Sequence, residues 1–309
     1  MNRAPIVLLT TTWTLLAACG PGPADLDEAE MTADAPVVAG ATAKTSMSVC
    51  WTNPACRRAL IVSHGGDWNA SNPYLSRAAF NRAAECGAHG VETPVRLTRD
   101  GVPVLAHSSP IEIWESLQCA GKRIEQMTAS EVTSCRLFPS FNQKFQRLDS
   151  ALDWANGRVI LELDPKVSGE VPAILAWVIR RGAIDRAFFL INPDELPLLR
   201  SVPGWEGAHY MLRVRDPSHL YTEIQSRTPG VFMVQMDREF AGLTRADVAS
   251  LIANQVHPSG LKALSESAQP TASVNNHLSI FRQGFDVILS YGCANGVTAA
   301  RQISQERGL

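Results

Sequence analysis

From residue 59 onward, short apolar runs alternate with segments in which apolar residues recur at helical spacing. The apolar runs lack the regular polar alternation of a half-exposed strand, which is typical of strands buried on both faces of a parallel sheet. We predict strands within residues 59–65, 90–98, 157–164, 187–192, 208–216, 230–237, 260–267 and 286–292. We predict helices at 74–87, 170–181 and 295–307, and a short helix near 128–135.

This order predicts about eight strand–helix units over roughly 250 residues, the size and repeat of an α/β protein with a single-domain (β/α)8 TIM barrel. An open doubly wound sheet is the alternative, and it is weakened because no G-x-G-x-x-G follows the first strand. The Asp100–Gly101 turn lies between two extended runs and predicts a hairpin. Residues 109–147 are predicted to be an irregular insertion.

Composition narrows the class of protein. The chain of 309 residues is 45% hydrophobic, which is ordinary for a globular core. Lysine and arginine number 28 against 30 aspartates and glutamates, a formal net charge of −2. This balance gives no basic surface excess, so we expect no nucleic-acid partner. It also lacks the strong acidic bias that is typical of a disordered chain.

The N-terminal segment differs from the rest of the chain. The sequence "MNRAPIVLLTTTWTLLAAC" has one arginine, a short apolar stretch and small residues before Cys19. It is too short for a comfortable membrane span, and its order of regions is typical of a secretory signal. "LAAC" at 16–19 resembles the lipobox of bacterial lipoproteins, in which the cysteine is lipidated and becomes the first mature residue. The alternative is a plain secretory signal with a cysteine there by chance.

The lipobox resemblance implies a signal peptide at 1–18 and lipidation of Cys19. The protein would then belong to the bacterial cell envelope, periplasmic or on the outer surface, and be held to a membrane through its N-terminal lipid anchor. Residues 19–48 are rich in Ala, Pro, Gly, Thr and acidic residues without any period, which predicts a flexible tether. The barrel domain would span 49–309.

Six further cysteines, an even number, indicate disulfides in an exported protein. Six cysteines allow fifteen pairings, and nearness favours Cys50–Cys56 and Cys119–Cys135. Cys86 and Cys293 are the candidates for buried free thiols. Metal binding by cysteine is not expected, because no C-x-x-C spacing occurs.

Candidate catalytic and binding residues lie at the predicted strand ends, since barrel enzymes place their active sites at the carboxyl ends of the strands. Polar residues end or follow several of these strands, namely His64, Glu92, His107, Glu162, Asp164, Arg213, Arg215 and Asp237. The carboxylates and histidines concentrate on the first units. Such a cluster is costly to bury unless a cation or a substrate neutralises it. Gly65 and Gly66, after His64, allow the backbone to approach a ligand closely.

The spacing of residues from the first strand onward forms a recognisable motif. Its elements are His64-Gly65-Gly66, Ala79-Phe80, Gly87-Ala88, Glu92, Val95, Thr98, Asp100-Gly101, Val104 and His107. This pattern resembles the glycerophosphodiester phosphodiesterase family, which shows H-R-G, an A-F…G-A helix and E-x-D-V-x-x-T-x-D-G-x-x-V-x-x-H. "LELDPK" resembles the family's third-strand E-x-K, and "FDVILSYG" resembles its closing strand.

The family resemblance implies a hydrolase that cleaves glycerophosphodiesters or related phospholipid head-group diesters. His64 and His107 would be the acid–base pair. Glu92, an aspartate two residues on, and the third-strand Glu162 would bind one divalent cation, calcium or magnesium. A divalent cation neutralises the charge of a phosphodiester, and imidazoles that titrate near neutrality move the protons.

The chain departs from the family pattern at four positions. The arginine of H-R-G is Gly65, which removes a bidentate phosphate contact. The aspartate of E-x-D is Pro94, the residue after His107 is Ser108, and the glutamate of the helix-start P-E-N-T is Tyr74. For substrate binding we predict Gly65, together with Lys166 and Arg213 as sources of positive charge; an exposed loop lysine is the alternative for Lys166.

The number of carboxylates is nevertheless preserved. Side chains at i and i+2 of a strand share a face, so Glu162 and Asp164 lie on one face of the third strand. We hypothesise that Asp164 replaces the ligand lost at Pro94, since oxygen-rich sites suit calcium or magnesium. The alternative is that Asp164 caps the turn at Pro165.

Three functions remain open from the sequence. The first is metal-dependent hydrolysis of a small phosphodiester or phospholipid head group. The second is phospholipase C- or D-like cleavage of intact phospholipid by a relative in the same superfamily. The third is a non-catalytic barrel lipoprotein with a degenerate site, which the lost arginine and aspartate favour and the two retained histidines oppose.

Overall fold

The fold is known from a computed structural model. The residues it describes are 47–309 except 217, 219, 222, 223, 225–227, 237–241 and 267–270. The predicted signal peptide, Cys19, the tether up to residue 46 and Asp237 lie outside the described residues.

The described strands form one closed sheet. They are β1 (Leu60–His64), β2 (Gly90–Leu97), β3 (Pro103–Leu105), β4 (Ile160–Pro165), β5 (Ala187–Ile191), β6 (Tyr210–Arg213), β7 (Val231–Gln235), β8 (Lys262–Glu266) and β9 (Val287–Ser290). All are parallel except β3, which pairs antiparallel with β2 as the predicted hairpin. Because β1 pairs with both β2 and β9, the sheet closes, which confirms the TIM barrel and makes the open-sheet alternative wrong.

The helices of the described residues follow strands along the chain. They are α1 (Arg77–Cys86), α2 (Ala129–Ser134), α3 (Leu148–Ala155), α4 (Val171–Arg180), α5 (Leu196–Leu199), α6 (Arg245–Leu251), α7 (Val274–Phe281) and α8 (Cys293–Glu306). The helix predicted from residue 74 begins later, because Leu75 has a φ of 58° and the Ser76 side chain caps the helix by accepting from the Ala79 N–H. It ends at Gly87, whose φ of 99° is left-handed.

The floor of the barrel is apolar. Trp51 is fully buried and belongs to a cluster with alternate residues of the strands, including Leu60, Val62, Ile160 and Met211. Met47, within the predicted tether, is 1% exposed in the same cluster. A larger cluster fills the layer between the sheet and the helices. Polar side chains one or two steps further along the inward-facing positions therefore lie above this floor, toward the carboxyl ends of the strands.

The insertion at 109–147 carries α2 and a small core of its own, which includes Ile111, Ile124 and Val132. Disulfides join Cys119 to Cys135 and Cys50 to Cys56, as nearness favoured. The expectation of free thiols at Cys86 and Cys293 is wrong, because a third disulfide joins them across 207 residues. In the described part of the chain, no helix is both long and apolar enough to cross a lipid bilayer.

Candidate active site

Strand alternation carries two glutamates into the barrel above its apolar floor. Glu162 lies two residues beyond Ile160, which belongs to the floor cluster, and is aligned in register with Glu92 of the neighbouring strand. His64 is in turn aligned with Glu92 and lies two residues beyond Val62. Three predicted site residues from β1, β2 and β4 therefore share one level of the barrel.

The two glutamates are almost completely removed from water. Glu92 is 4% exposed, and its Oε2 accepts hydrogen bonds from the Gly65 N–H at 3.1 Å and the Tyr74 hydroxyl at 3.4 Å. Glu162 is 0% exposed, and neither of its carboxylate oxygens has a hydrogen-bond partner within the described residues. A buried ionised carboxylate without partners is very costly, so Glu162 needs a proton or a cation beside it.

The buried charges raise the pKa of both carboxyls. Burial, followed by the charge of Asp164, raises the pKa of Glu92 to about 8. Burial, followed by the charges of Glu92 and Asp164, raises the pKa of Glu162 well above its usual value. Like charges that face each other in a dry site disfavour ionisation of both groups. We therefore expect this pair to hold a proton or a cation rather than two unneutralised charges.

Asp164 occupies the next level of β4, opposite Pro94 of β2. Its Oδ1 accepts from Arg213 Nη2 at 3.0 Å and its Oδ2 accepts from Lys166 Nζ at 2.5 Å. The Lys166 side chain is 21% exposed and turned toward Asp164, so the exposed-loop alternative for Lys166 is wrong. Arg215, by contrast, is exposed and lies beyond the end of β6. Both predicted cations, Lys166 and Arg213, thus meet over one carboxylate at the barrel mouth.

His64 is held between aromatic rings. Its imidazole stacks on Tyr291 with ring centroids 4.1 Å apart, and the Tyr74 ring is 5.3 Å away. Tyr291 follows β9 and donates its hydroxyl proton to Glu266 at the end of β8. Burial, followed by the charges of Lys166 and His107, lowers the pKa of His64 to about 4. The imidazole is therefore neutral at neutral pH and can accept a proton.

His107 is positioned through its backbone. The His107 N–H donates to Glu115 Oε1 at 2.8 Å, and the Arg96 guanidinium donates to the His107 carbonyl at 2.8 and 3.0 Å. Glu115 also accepts from the N–H of Ser108, the residue that replaces the family aspartate. Burial, followed by the charge of Lys166, lowers the pKa of His107. The Tyr74 ring lies 5.3 Å from the His64 ring and 6.5 Å from the His107 ring, so the two imidazoles flank the same tyrosine at the barrel mouth.

Gly65 and Tyr74, two of the four departures from the family pattern, are linked by packing. A Cβ at Gly65 would lie 1.8 Å from Cε2 of Tyr74, and Gly65 has a φ of +63°. The Tyr74 ring thus fills the space into which a side chain at position 65 would project. The sequence did not show this link, because nothing in the spacing indicates that Tyr74 would turn back over the glycine.

This contact predicts a coupled effect on stability. Gly65→Ala is expected to lower the free energy of unfolding by about 2–4 kcal/mol, since a clash with a buried ring adds to the cost of a left-handed alanine. In a Tyr74→Ala background the same substitution should cost at least ~1 kcal/mol less. Urea unfolding of the four proteins measures both values.

The matched control for this cycle is Gly182→Ala. Gly182 has a φ of +61°, and a Cβ there meets no described atom within 4 Å. It therefore shows the cost of the backbone conformation alone. Equal costs of the alanine at positions 65 and 182 would contradict the steric link.

Part of the chain resembles known proteins in sequence. Residues 69–185 match the family model for the glycerophosphoryl diester phosphodiesterase family, a stretch that contains Glu92, His107 and Glu162. Over this stretch the chain is similar to that family. A glycerophosphodiester phosphodiesterase of Caldanaerobacter subterraneus is 40% identical over 55 residues. That match spans 18% of this chain and 22% of the relative.

Solved structures of the family share the fold. A glycerophosphoryl diester phosphodiesterase of Parabacteroides distasonis superposes with a TM-score of 0.67 at 19% identity, over 80% of this chain and 87% of that one. A phosphodiesterase of Oleispira antarctica, in complex with the product sn-glycerol-3-phosphate, has a TM-score of 0.60 at 17% identity. The superposition covers 79% of this chain and 97% of the Oleispira antarctica chain. At such identities the similarity establishes the barrel fold.

The fit of a divalent cation to this site can be judged from its carboxylates. Among the described residues, no three or more His, Cys, Asp or Glu side chains are gathered closely enough to hold a metal ion. The physical reason is visible at Asp164, whose oxygens are held by Lys166 and Arg213. Glu92 and Glu162 fit a cation better, because Glu162 lacks other partners within the described residues. Asp164 keeps further lone pairs on both oxygens, so its role as third ligand stays a prediction.

The raised pKa of Glu92 predicts how stability depends on pH without added cation. A carboxyl whose folded pKa is raised from 4.5 to about 8 contributes stability that is full below 4.5 and lost as pH rises through about 8. Between pH ~6.5 and ~9, the free energy of unfolding in EDTA should fall by about 2 kcal/mol. The change should be reduced in Glu92→Gln and kept in Glu85→Gln, which alters an exposed carboxylate. Stability in EDTA that is flat or rises over this window would contradict the assignment.

Proposed function

We propose that the protein is a metal-dependent hydrolase of glycerophosphodiesters that uses His64 and His107 as its acid–base pair. The observation that carries the proposal is the meeting of these two imidazoles with a buried glutamate pair and two cationic side chains at the carboxyl end of one barrel. The similarity to this family and the product bound to the Oleispira antarctica relative support the substrate class.

The two imidazoles differ in their surroundings, and this difference assigns their roles. His64 is the more deeply placed, and with a pKa of about 4 it carries no proton at neutral pH, so it is the imidazole that can take the proton of the attacking hydroxyl or water. This pKa is below the near-neutral value expected from the sequence. Burial lowers the pKa of His107 as well, but His107 is the less buried of the two imidazoles and so the more easily protonated. We therefore assign it as the acid that gives its proton to the leaving alkoxide. Tyr291 and the Glu115–Arg96 contacts hold the two rings in place during these transfers.

Positive charge for the phosphoryl oxygens comes from Lys166 and Arg213. Asp164 holds both side chains at the mouth through ion pairs of 2.5 and 3.0 Å. This pair supplies the charge that the arginine of H-R-G supplies in the family pattern. The Tyr74 ring occupies the space that a side chain at Gly65 would take, so any contact of Gly65 with substrate would come from its backbone.

Glu92 and Glu162 are the residues that would hold a divalent cation, calcium or magnesium, with Asp164 as the predicted third ligand. When bound, such an ion neutralises phosphoryl charge and acidifies a coordinated hydroxyl. Oxygen ligands of this kind suit either ion.

The experiment that tests the proposal is an assay of the purified full-length protein with two kinds of substrate. With glycerophosphocholine and calcium or magnesium, we expect release of sn-glycerol-3-phosphate. With intact phosphatidylcholine in vesicles, we expect slower turnover. Cleavage of the intact lipid alone would favour the phospholipase alternative. Absence of turnover with any diester, together with no cation binding, would favour the non-catalytic barrel.

We also propose that the protein is anchored to the bacterial envelope through a lipid on Cys19, as the "LAAC" sequence at 16–19 supports. Cells that express the full chain should incorporate labelled palmitate into it, and Cys19→Ser should abolish the label and release the protein from the membrane fraction. Label that persists in Cys19→Ser would contradict the anchor, and Cys86→Ser serves as the control for loss of a cysteine.

A further inference from the structure

Three aromatic side chains meet beside the two histidines at the barrel mouth. Trp68 stands edge-on to Tyr74, with ring centroids 6.0 Å apart and planes at 88°. Trp114 also stands edge-on to Tyr74, at 5.7 Å and 61°. We call Trp68, Tyr74 and Trp114 the aromatic box, because the Trp68 and Trp114 rings both stand at steep angles to the Tyr74 ring.

The aromatic box is continuous with the catalytic groups. The Trp114 ring is 5.5 Å from His107, and the Tyr74 ring is 5.3 Å from His64 and 6.5 Å from His107. The box therefore adjoins the place proposed for the phosphoryl group, and the head group of a bound phosphodiester would lie among the three rings.

The box is open to solvent although its base is buried. Trp68 is 42% exposed and Trp114 is 40% exposed, whereas Tyr74 is 9% exposed. Tryptophans with much of their surface in water contribute little to the core, so burial does not explain why two of them lie on this rim. A bound ligand would remove their exposed faces from water.

A carboxylate lies directly beside the box. Glu112 accepts a hydrogen bond from the Trp114 indole N–H, and its charge acts on His107. An anion next to electron-rich ring faces favours a bulky cation that sheds water easily. Faces of Trp and Tyr attract quaternary ammonium groups in this way. A primary ammonium is more strongly hydrated, and a glycerol hydroxyl has no charge, so neither gains as much from the rings.

We propose that the aromatic box binds the quaternary ammonium of a choline-type head group, so that the preferred substrate is a glycerophosphodiester of a trimethylammonium alcohol. The proposal rests on the proposed function and names the substrate class of the same site. Trp114 and Trp68 then determine specificity by contact with the head group, apart from the proton transfers.

The test compares glycerophosphocholine with glycerophosphoglycerol, whose head group is uncharged. The full-length protein should prefer glycerophosphocholine by at least tenfold in kcat/KM. Trp114→Leu and Trp68→Leu should each lower kcat/KM for glycerophosphocholine about tenfold, mostly through KM, and change that for glycerophosphoglycerol less than about twofold. Trp177→Leu, on the outer helix α4, is the matched control and should preserve the preference. Equal use of the two substrates, or equal losses on both, would overturn the proposal.

A binding measurement separates this inference from the proposed function. Tetramethylammonium should quench tryptophan fluorescence of the full-length protein, with the quench reduced in Trp68→Leu and Trp114→Leu, whether or not any diester is hydrolysed. Turnover of glycerophosphodiesters without tetramethylammonium binding would overturn the box and leave the hydrolase proposal standing. Binding of tetramethylammonium without turnover of any glycerophosphodiester would overturn the hydrolase proposal and leave the box standing.

A lipid surface is the competing occupant, since Ile113 and Leu117 beside Trp114 are 65% and 51% exposed. Vesicle binding that falls in Trp114→Leu, with the preference for glycerophosphocholine unchanged, would overturn the proposal in favour of a membrane contact.

Discussion

His64→Ala and His107→Ala are each expected to lower kcat for glycerophosphodiester hydrolysis by about 10²–10⁴-fold, the range of positioned acid–base catalysis. His64 is the base because burial keeps it neutral, with a pKa of about 4. His107 is the acid at the opening. Since the two act on one proton-transfer sequence, the double substitution should cost little more than either single one. Steady-state kinetics with glycerophosphocholine at saturating cation measures all three.

The control for the histidines is His209→Ala. His209 precedes β6 and so lies at the opposite end of the barrel from the site. Its replacement should leave kcat within about twofold, because it has no path to the substrate. Loss of less than tenfold in both His64→Ala and His107→Ala would contradict the acid–base assignment. Circular dichroism of each variant establishes that the barrel is intact.

Removal of divalent cation is the second change with a large expected effect. EDTA should lower the rate by at least about 10²-fold, and calcium or magnesium should restore it, because a cation contributes several kcal/mol of charge stabilisation to a phosphodiester reaction. Glu162→Gln should abolish the restoration. It should not destabilise the fold, since an uncharged amide replaces a carboxyl that has no hydrogen-bond partner within the described residues and whose pKa burial raises.

Two further variants sharpen the cation experiment. Asp164→Ala should weaken cation affinity if it is the third ligand, and unchanged affinity would remove that assignment. Glu85→Gln, at an exposed position on α1, should leave the cation response unchanged. Full activity of the wild-type protein in EDTA would contradict the role of Glu92 and Glu162. Isothermal titration with calcium and magnesium gives the affinities directly.

Much of the fold follows from the chain itself. Strands such as Ala187–Ile191 are apolar without alternation, which is the pattern of a strand covered on both faces. The period of a strand predicted that Glu162 and Asp164 share one face, and the strand-end rule named Glu162 and His64 as site candidates. Both inferences need only the local pattern of a strand and its end, so the sequence was enough.

Other features depend on contacts between distant parts of the chain. The Cys86–Cys293 disulfide joins α1 to α8, which are neighbours only because β1 pairs with β9 and closes the barrel. Trp114 lies in the insertion, where no periodicity indicates which way a side chain faces. Lys166 was predicted for the site, yet only the structure shows that its side chain turns back to Asp164.

Tyr291 is a site residue that the sequence could have revealed and did not. It follows the apolar run that forms β9, and by the rule that barrel chemistry lies at the carboxyl ends of strands it belonged with the strand-end candidates. Glu266, its hydrogen-bond partner, ends β8 and falls under the same rule.

The most direct test of the account is a crystal structure of the full-length protein with sn-glycerol-3-phosphate and calcium. The account predicts the phosphate between the His64 and His107 rings, within hydrogen-bond reach of Lys166 or Arg213, with calcium bound to both Glu92 and Glu162. A phosphate bound away from the barrel mouth, or a calcium ion that contacts neither glutamate, would contradict it.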